Sequence, residues 1–213
     1  MRRTSISAAT ILLLSLGAWA QGSQPAKRAR PEEEPGSEIS AQGMGFFTKA
    51  VNGTGTTYDA TQTVGALGTY RHHLKPNLSV EVAYGYDRNT QKYQVASQGF
   101  RIQTNIHQVT AAFVGHMTPR MHGKLDPYLL LGGGALIFAP TGSQANYLSG
   151  ALHQTKGAFT YGGGVDYALR KRIGLRLEYR GLIYGTPDFG FGALVTNAVT
   201  HTAIPTIGVT FKF

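Results

Sequence analysis

The side chains able to do chemistry are few and scattered. Seven histidines are present (His72, His73, His107, His116, His122, His153 and His201) and no cysteine. Without thiols, neither a disulfide framework nor a thiolate metal site can form. No His-Glu-x-x-His motif and no paired-carboxylate loop occurs, so the common local signatures for zinc and calcium are missing. His153 and His201 could meet a metal across two loops, but lone loop histidines are usually solvated. The runs Gly132–Gly134 and Gly162–Gly164 are no phosphate loop: no Lys-[Ser/Thr] follows and no βα pattern surrounds them. A Ser–His–acid set is a matter of geometry, which residue order does not decide. The chain therefore reads as non-enzymatic, with no cofactor and no metal.

What remains is ion pairing. Arg71, Arg176, Arg180 and Lys212 could meet Glu81, Asp166 and Glu178, provided that the elements carrying them turn one face to a common interior. The spacing predicts eight strands: Glu38–Lys49, Thr61–Leu74, Asn77–Asp87, Gln103–Met117, Leu125–Phe138, Thr155–Leu169, Arg172–Tyr184 and His201–Phe213. Each runs about 11–15 residues, longer than the roughly 5–6 usual in globular sheets. Parity sorts their faces. Ile173, Leu175, Leu177, Tyr179 and Ile183 oppose Arg172, Arg176, Glu178 and Arg180; Leu78, Val80, Val82, Tyr84 and Tyr86 oppose Ser79, Glu81, Ala83 and Gly85. The last strand ends the same way, with Ile207, Val209, Phe211 and Phe213 on one face and Lys212 on the other.

The connections alternate. Lys75-Pro76 and Arg170-Lys171 are tight turns and Thr118–Lys124 is a moderate one. Ala50–Ala60, Arg88–Ile102, Ala139–Gln154 and Gly185–Thr200 are longer and polar. Tyr58, Tyr93 and Tyr147 fall in those longer connections, a composition suited to adaptable polar contact. Short turns at one end and long loops at the other suit an up-and-down barrel that crosses a membrane. No apolar run beyond residue 20 reaches the roughly 18–20 residues of a membrane helix. A closed barrel is the other structure that satisfies its backbone in lipid. The apolar face then looks outward. Tyr70, Tyr128, Tyr167, Phe211 and Phe213 form an aromatic girdle at the turn end, with Phe47, Tyr84, Tyr86, Phe138, Phe159 and Tyr161 at the other. The opposite face holds a lumen charge network of Arg71, Glu81, Asp166, Arg176, Glu178 and Arg180. Eight strands leave an interior that side chains just fill.

Arg2 and Arg3, the apolar run Ala8–Leu16 and Gly17-Ala18-Trp19-Ala20 predict a signal peptide, residues 1–20. Residues 21–37 carry three prolines, the bases Lys27, Arg28 and Arg30 and the acids Glu32–Glu34, and read as a disordered periplasmic linker. The net charge of +9 suggests nucleic acid, but export argues against that partner. Residues 38–213 are then an outer-membrane β-barrel, the fold class being an all-β, closed, eight-stranded antiparallel transmembrane barrel.

Pro127-Tyr128-Leu129-Leu130-Leu131-Gly132-Gly133-Gly134-Ala135, the segment Gly162–Tyr167, and Leu175-Arg176-Leu177-Glu178-Tyr179-Arg180 resemble small outer-membrane β-barrel proteins. These are the OmpA-like transmembrane barrel and its opacity-like surface relatives. The resemblance spans roughly residues 40–213. It implies that Arg176, Glu178 and Arg180 are lumen charges. It also implies that the terminal Phe213 is an assembly signal read by the barrel-assembly machinery, with outer-membrane lipid and lipopolysaccharide as surroundings. The termini would be periplasmic and the long loops extracellular. Since the sequence stops at Phe213, no wall-binding domain is expected after the barrel. Barrel deacylases of lipopolysaccharide resemble a His-x-Ser pattern, and none of the seven histidines has Ser two residues on. The expected role is structural or surface interaction, with a small solute pore, or a lipid A-modifying enzyme, as alternatives.

Overall fold

The computed structural model describes residues 36–117, 124–141 and 149–213. The expected signal peptide, nearly all of the expected linker, Tyr147 and most of the Thr118–Lys124 turn lie outside the described residues. Ten strands follow in order: β1 Ser37–Thr48, β2 Val51–Gly53, β3 Thr56–Ala60, β4 Thr63–Lys75, β5 Leu78–Val95, β6 Gln98–His116, β7 Leu125–Pro140, β8 Gln154–Ala168, β9 Ile173–Gly185 and β10 Val199–Lys212. A single 3-10 turn, Gly192–Leu194, precedes β10.

Eight of these strands close on themselves. The order β5-β4-β1-β10-β9-β8-β7-β6 is completed by pairing of β5 with β6, and every pairing is antiparallel. The closure between first and last strands runs from Glu38↔Lys212 to Thr48↔Thr202. At the turn end, Phe213 donates its N–H to the Ser37 carbonyl at 2.8 Å and accepts from the Ser37 N–H at 2.9 Å.

The other end departs from expectation. Arg88–Ile102 is not a loop: β5 and β6 pair without interruption from Leu78↔Gly115 to Val95↔Gln98, turning at Ala96-Ser97. Nor is Ala50–Ala60 irregular. It forms the β2–β3 hairpin, whose β3 pairs with the far half of β5. Thr54 and Gly55 both take positive φ there, as a two-residue type I′ turn requires. The result is a blade of β3, β5 and β6 that stands beyond the barrel mouth. Its inward residues Tyr58 and Tyr93 are fully buried, so they are core and not adaptable loop contacts.

Alternation sorts side chains as closure demands. Val82, Phe113, Leu129, Leu131, Leu175, Leu177, Ile207 and Val209 are exposed around the outside, while the inward positions between them are buried. The glycine runs serve close strand approach: a Cβ on Gly132 would lie 2.1 Å from the Ala111 carbonyl oxygen, and one on Gly134 would lie 2.0 Å from that of Val109. Gly157 has open space around its Cβ position. Gly134→Ala is expected to strain the β6–β7 ladder by about 1–3 kcal/mol and lower the temperature at which the detergent-folded band shifts on an unboiled gel. Gly157→Ala should melt with the wild type; equal melting of both variants would refute the close approach.

Candidate functional site

Inward parity on five strands brings seven charged side chains into one dry cluster near the turn end. Register sets up alternating sign around the wall. Lys212 of β10 faces Glu38 of β1, Glu38 faces Arg71 of β4, and Arg71 faces Glu81 of β5. Across the barrel Asp166 of β8 faces Arg176 of β9. The three arginines are fully buried.

Arg176 grips Asp166 with two parallel bonds, Nε to Oδ1 and Nη2 to Oδ2, each 2.7 Å. The same Nη2 also donates to Glu38, and Nη1 reaches Thr69 Oγ1 at 3.3 Å. Arg71 donates to Glu81 Oε2 from Nε at 3.0 Å and from Nη2 at 2.8 Å, and its Nη1 lies 3.3 Å from both Glu38 and Asp166. Arg180 donates to Glu178 and to Glu81. Tyr128 stands in the middle: its hydroxyl donates to Glu178 Oε2 at 2.5 Å, and the Arg71 guanidinium lies 4.2 Å from its ring centroid. At the half-exposed rim Lys212 Nζ lies 3.8 Å from Glu38, an eighth charge beside the seven buried ones.

The six expected lumen charges, Arg71, Glu81, Asp166, Arg176, Glu178 and Arg180, thus meet in one place. Glu38 also belongs to the cluster: it opens its strand, and its parity with Ser40 and Gln42 points inward. Tyr128 is a correction. It is 1 % exposed and sits in the lumen, not in an outer girdle. The unalternating run Leu129–Leu131 hid its parity: Leu129 and Leu131 face out, so Tyr128 and Leu130 face in. Phe138 turns inward for the same reason. Tyr70, Tyr167, Phe211 and Phe213 are on the outer surface at the turn end, the last two with stacked rings 6.4 Å apart.

Below the charges lies a set that residue order had left open. Ser79 Oγ sits 2.9 Å from His116 Nε2 and 2.8 Å from His73 Nδ1, and His116 Nδ1 is 3.0 Å from Asp126 Oδ2. A carboxylate only accepts, so His116 donates from Nδ1 to Asp126, and the Ser79 hydroxyl bridges the two imidazoles. The order Ser–His–Asp is that of a nucleophile relay. Yet Ser79 is fully buried and its oxygen is held between two imidazoles. Among the described residues no His, Cys, Asp and Glu group has metal-holding geometry.

Toward the loop end apolar side chains predominate in the lumen, beside buried polar ones such as Asp87, Gln108, Thr160 and Thr202. Phe46, Leu67, Leu136, Phe138, Leu182 and Ile204 fill it, and Phe189 and Leu194 of the β9–β10 connection pack onto them. Tyr93 anchors that connection by donating to the Pro187 carbonyl at 2.7 Å. Asp188 ties it to β8: its carboxylate accepts from Gln154 at 3.1 Å, from the Gly190 N–H at 3.0 Å and from Lys156 at 3.5 Å.

A closed antiparallel barrel with an apolar outer belt and a charged, filled lumen defines an integral transmembrane β-barrel protein. The chain belongs to the family described as outer membrane protein beta-barrel domain, which matches residues 6–213. It is 27 % identical over 136 residues to outer membrane protein A of Klebsiella aerogenes, covering 64 % of this chain and 36 % of that protein. It therefore spans about a third of that relative's length. Among solved structures it is similar to OprG of Pseudomonas aeruginosa, with TM-score 0.62, 13 % identity and coverage of 84 % of this chain and 96 % of OprG. Neisserial surface protein A is similar at TM-score 0.51 and 18 % identity, with 82 % and 97 % covered. These likenesses carry the fold.

Two tests follow from the lumen and its lid. Arg176→Ala strips Asp166 and Glu38 of their main partner, and removing one member of a buried pair costs about 3–5 kcal/mol. The variant should still insert but melt at a clearly lower temperature in detergent; wild-type melting would refute the network. Burial alone would raise the Asp188 pKa, but the Gly190 N–H, Gln154 and Lys156 outweigh it and hold the carboxyl below its usual 3.8. A depressed carboxylate stabilises above its unfolded pKa, and that stability is lost as pH falls through the folded value. Protection factors of the β9–β10 connection, taken relative to the intrinsic exchange rate at each pH, should therefore fall on acidification below about pH 4, and Asp188→Asn should remove that dependence.

Proposed function

We propose that this protein is a non-enzymatic, non-conducting barrel of the outer membrane that holds a rigid surface structure outside the lipid. Its termini and short turns lie on the periplasmic side and its blade and longer connections outside. The observation that carries the reading is a lumen blocked at two levels. The charge cluster of Arg71, Arg176 and Arg180 with their carboxylates fills one half. The apolar side chains around Phe138 and Leu182 fill the other. A hydrated ion would meet first a dense cluster of paired charges and then a packed layer in which apolar side chains surround the buried Asp87, Gln108, Thr160 and Thr202.

Phe213, with its outward ring beside Phe211, is the feature proposed to be read by the assembly machinery. Outer-membrane lipid and lipopolysaccharide are the proposed surroundings of the apolar belt. The residues preceding Gly36 are proposed to be an export signal and a periplasmic linker. A solute pore is the second reading, and the apolar layer weighs against it. A lipid-modifying enzyme would need a reachable nucleophile, and burial of Ser79 weighs against that.

Planar-bilayer recording separates these readings. The purified full chain is expected to give no discrete conductance steps in neutral-pH salt. Reproducible steps that vanish on heat unfolding would overturn the closed-lumen reading. Unchanged lipid A mass in cells overproducing the protein is expected if it has no such activity.

A further inference from the structure

We propose that the outward face of the β3/β5/β6 blade binds the phosphorylated sugar headgroup of the glycolipid in the leaflet around the loop end. This rests on the orientation given above, in which that end faces outward.

The exterior of β5 and β6 is one uninterrupted surface, because their register holds from the barrel through the blade. Its chemistry changes abruptly. Val82, Tyr84 and Tyr86 are exposed along β5, with His107 opposite Tyr86 on β6 and bonded to the Tyr84 hydroxyl at 2.7 Å. One step further out on the same face stands Arg88, about 7 Å along the strand at roughly 3.3 Å per residue. Aromatic side chains of this kind settle at the membrane interface, so Arg88 stands where lipid phosphates lie. Four residues beyond it come Lys92 and, directly opposite on β6, Arg101.

That opposition is the informative feature. Like charges directly across a ladder repel, and this face supplies little to offset them. Asp59 of β3 is the carboxylate that the register brings beside Lys92, at 3.9 Å. Arg88 donates only to the neutral Gln103, at 2.9 Å. Among the described residues of this face, Lys92 and Arg101 thus have one carboxylate between them, and an anion between the two would relieve the repulsion. A cleft of about 570 Å³ lies there, lined by Thr57, Asp59, Lys92, Gln94 and Arg101 among others. That is room for a phosphorylated sugar, with amide and hydroxyl groups to bond its hydroxyls. The ladder of cations from the aromatic band outward matches a ligand that is anchored in the membrane and carries phosphate on its sugars.

The test uses the full chain folded in neutral detergent and bisphosphorylated lipid A as probe, with retained lipid counted by native mass spectrometry. Wild-type protein should retain lipid A and release it as salt rises. The triple variant Arg88→Gln, Lys92→Gln, Arg101→Gln should retain about a hundredfold less, since each cation near an anionic surface is worth about fivefold. Its melting temperature should stay unchanged, and Lys171→Gln, at the opposite end, should bind as wild type. Equal retention of dephosphorylated lipid A, or undiminished retention by the triple variant, would overturn the proposal. Release by soluble glucosamine 1-phosphate would assign the cleft to a free phosphosugar and overturn the lipid. Orientation is read separately: Ala96→Cys on whole cells should react with an impermeant maleimide. Failure there sinks the outward placement without touching the detergent result.

Discussion

A chain that passes through hydrocarbon has to bond all of its own amide groups, and here that requirement rests on one ladder between β1 and β10. These strands are the most distant in sequence, yet they pair from Glu38↔Lys212 to Thr48↔Thr202. Without this ladder two rows of N–H and C=O groups would face lipid, and no side chain could compensate. Once it is closed, strict alternation becomes a sorting rule. Every second residue meets acyl chains, and every other one must fill a space only one or two side chains wide. The belt of Leu, Val and Ile, the buried arginines and the glycines that let strands approach all follow from closure.

The lumen answers the filling problem in two different ways. Near the turn end, charges are taken out of water, which is expensive unless nearly every donor and acceptor is matched. Arginine suits this because its planar fork engages two carboxylate oxygens at once, as Arg176 does on Asp166. Arg71 gains a further partner in the Tyr128 ring, so one residue both donates to Glu178 and stacks under a guanidinium. Near the loop end packed apolar side chains do most of the filling, with the β9–β10 connection folded over them and buried side chains such as Asp87 and Gln108 among them. A charged layer imposes a specific register, since each arginine must meet carboxylates from other strands. An apolar layer tolerates variation. Together they give a barrel whose register is specified at one end and whose lumen is packed at the other.

The barrel strands were legible because long alternating runs with tight turns are hard to mistake, and parity alone pointed Arg71, Glu81, Asp166, Arg176, Glu178 and Arg180 inward. What escaped reading did so for local reasons. Arg88–Ile102 carries polar residues on both faces, with Asn89 and Gln91 buried inside, so its period of two was masked. Its turn, Ala96-Ser97, lacks the Gly or Asn that marks a hairpin, although Ala96 takes positive φ. Tyr128 and Phe138 lie in a stretch where apolar residues occupy both faces, so aromatic type points to a girdle while parity points to the lumen. The Ser79–His116–Asp126 relay joins three strands, so no spacing in the chain could announce it.

The β1–β10 ladder also says something about how such a chain comes to be folded. The strand that completes the closure is the last in sequence, so β1 and every growing end before β10 must wait with an unpaired edge. Such edges recruit other strands readily, and contacts this far apart form slowly because the loop they close is so long. A half-made barrel is therefore both sticky and slow. The interval between the arrival of β1 and that of β10 is when the chain most needs something else to hold its edges apart.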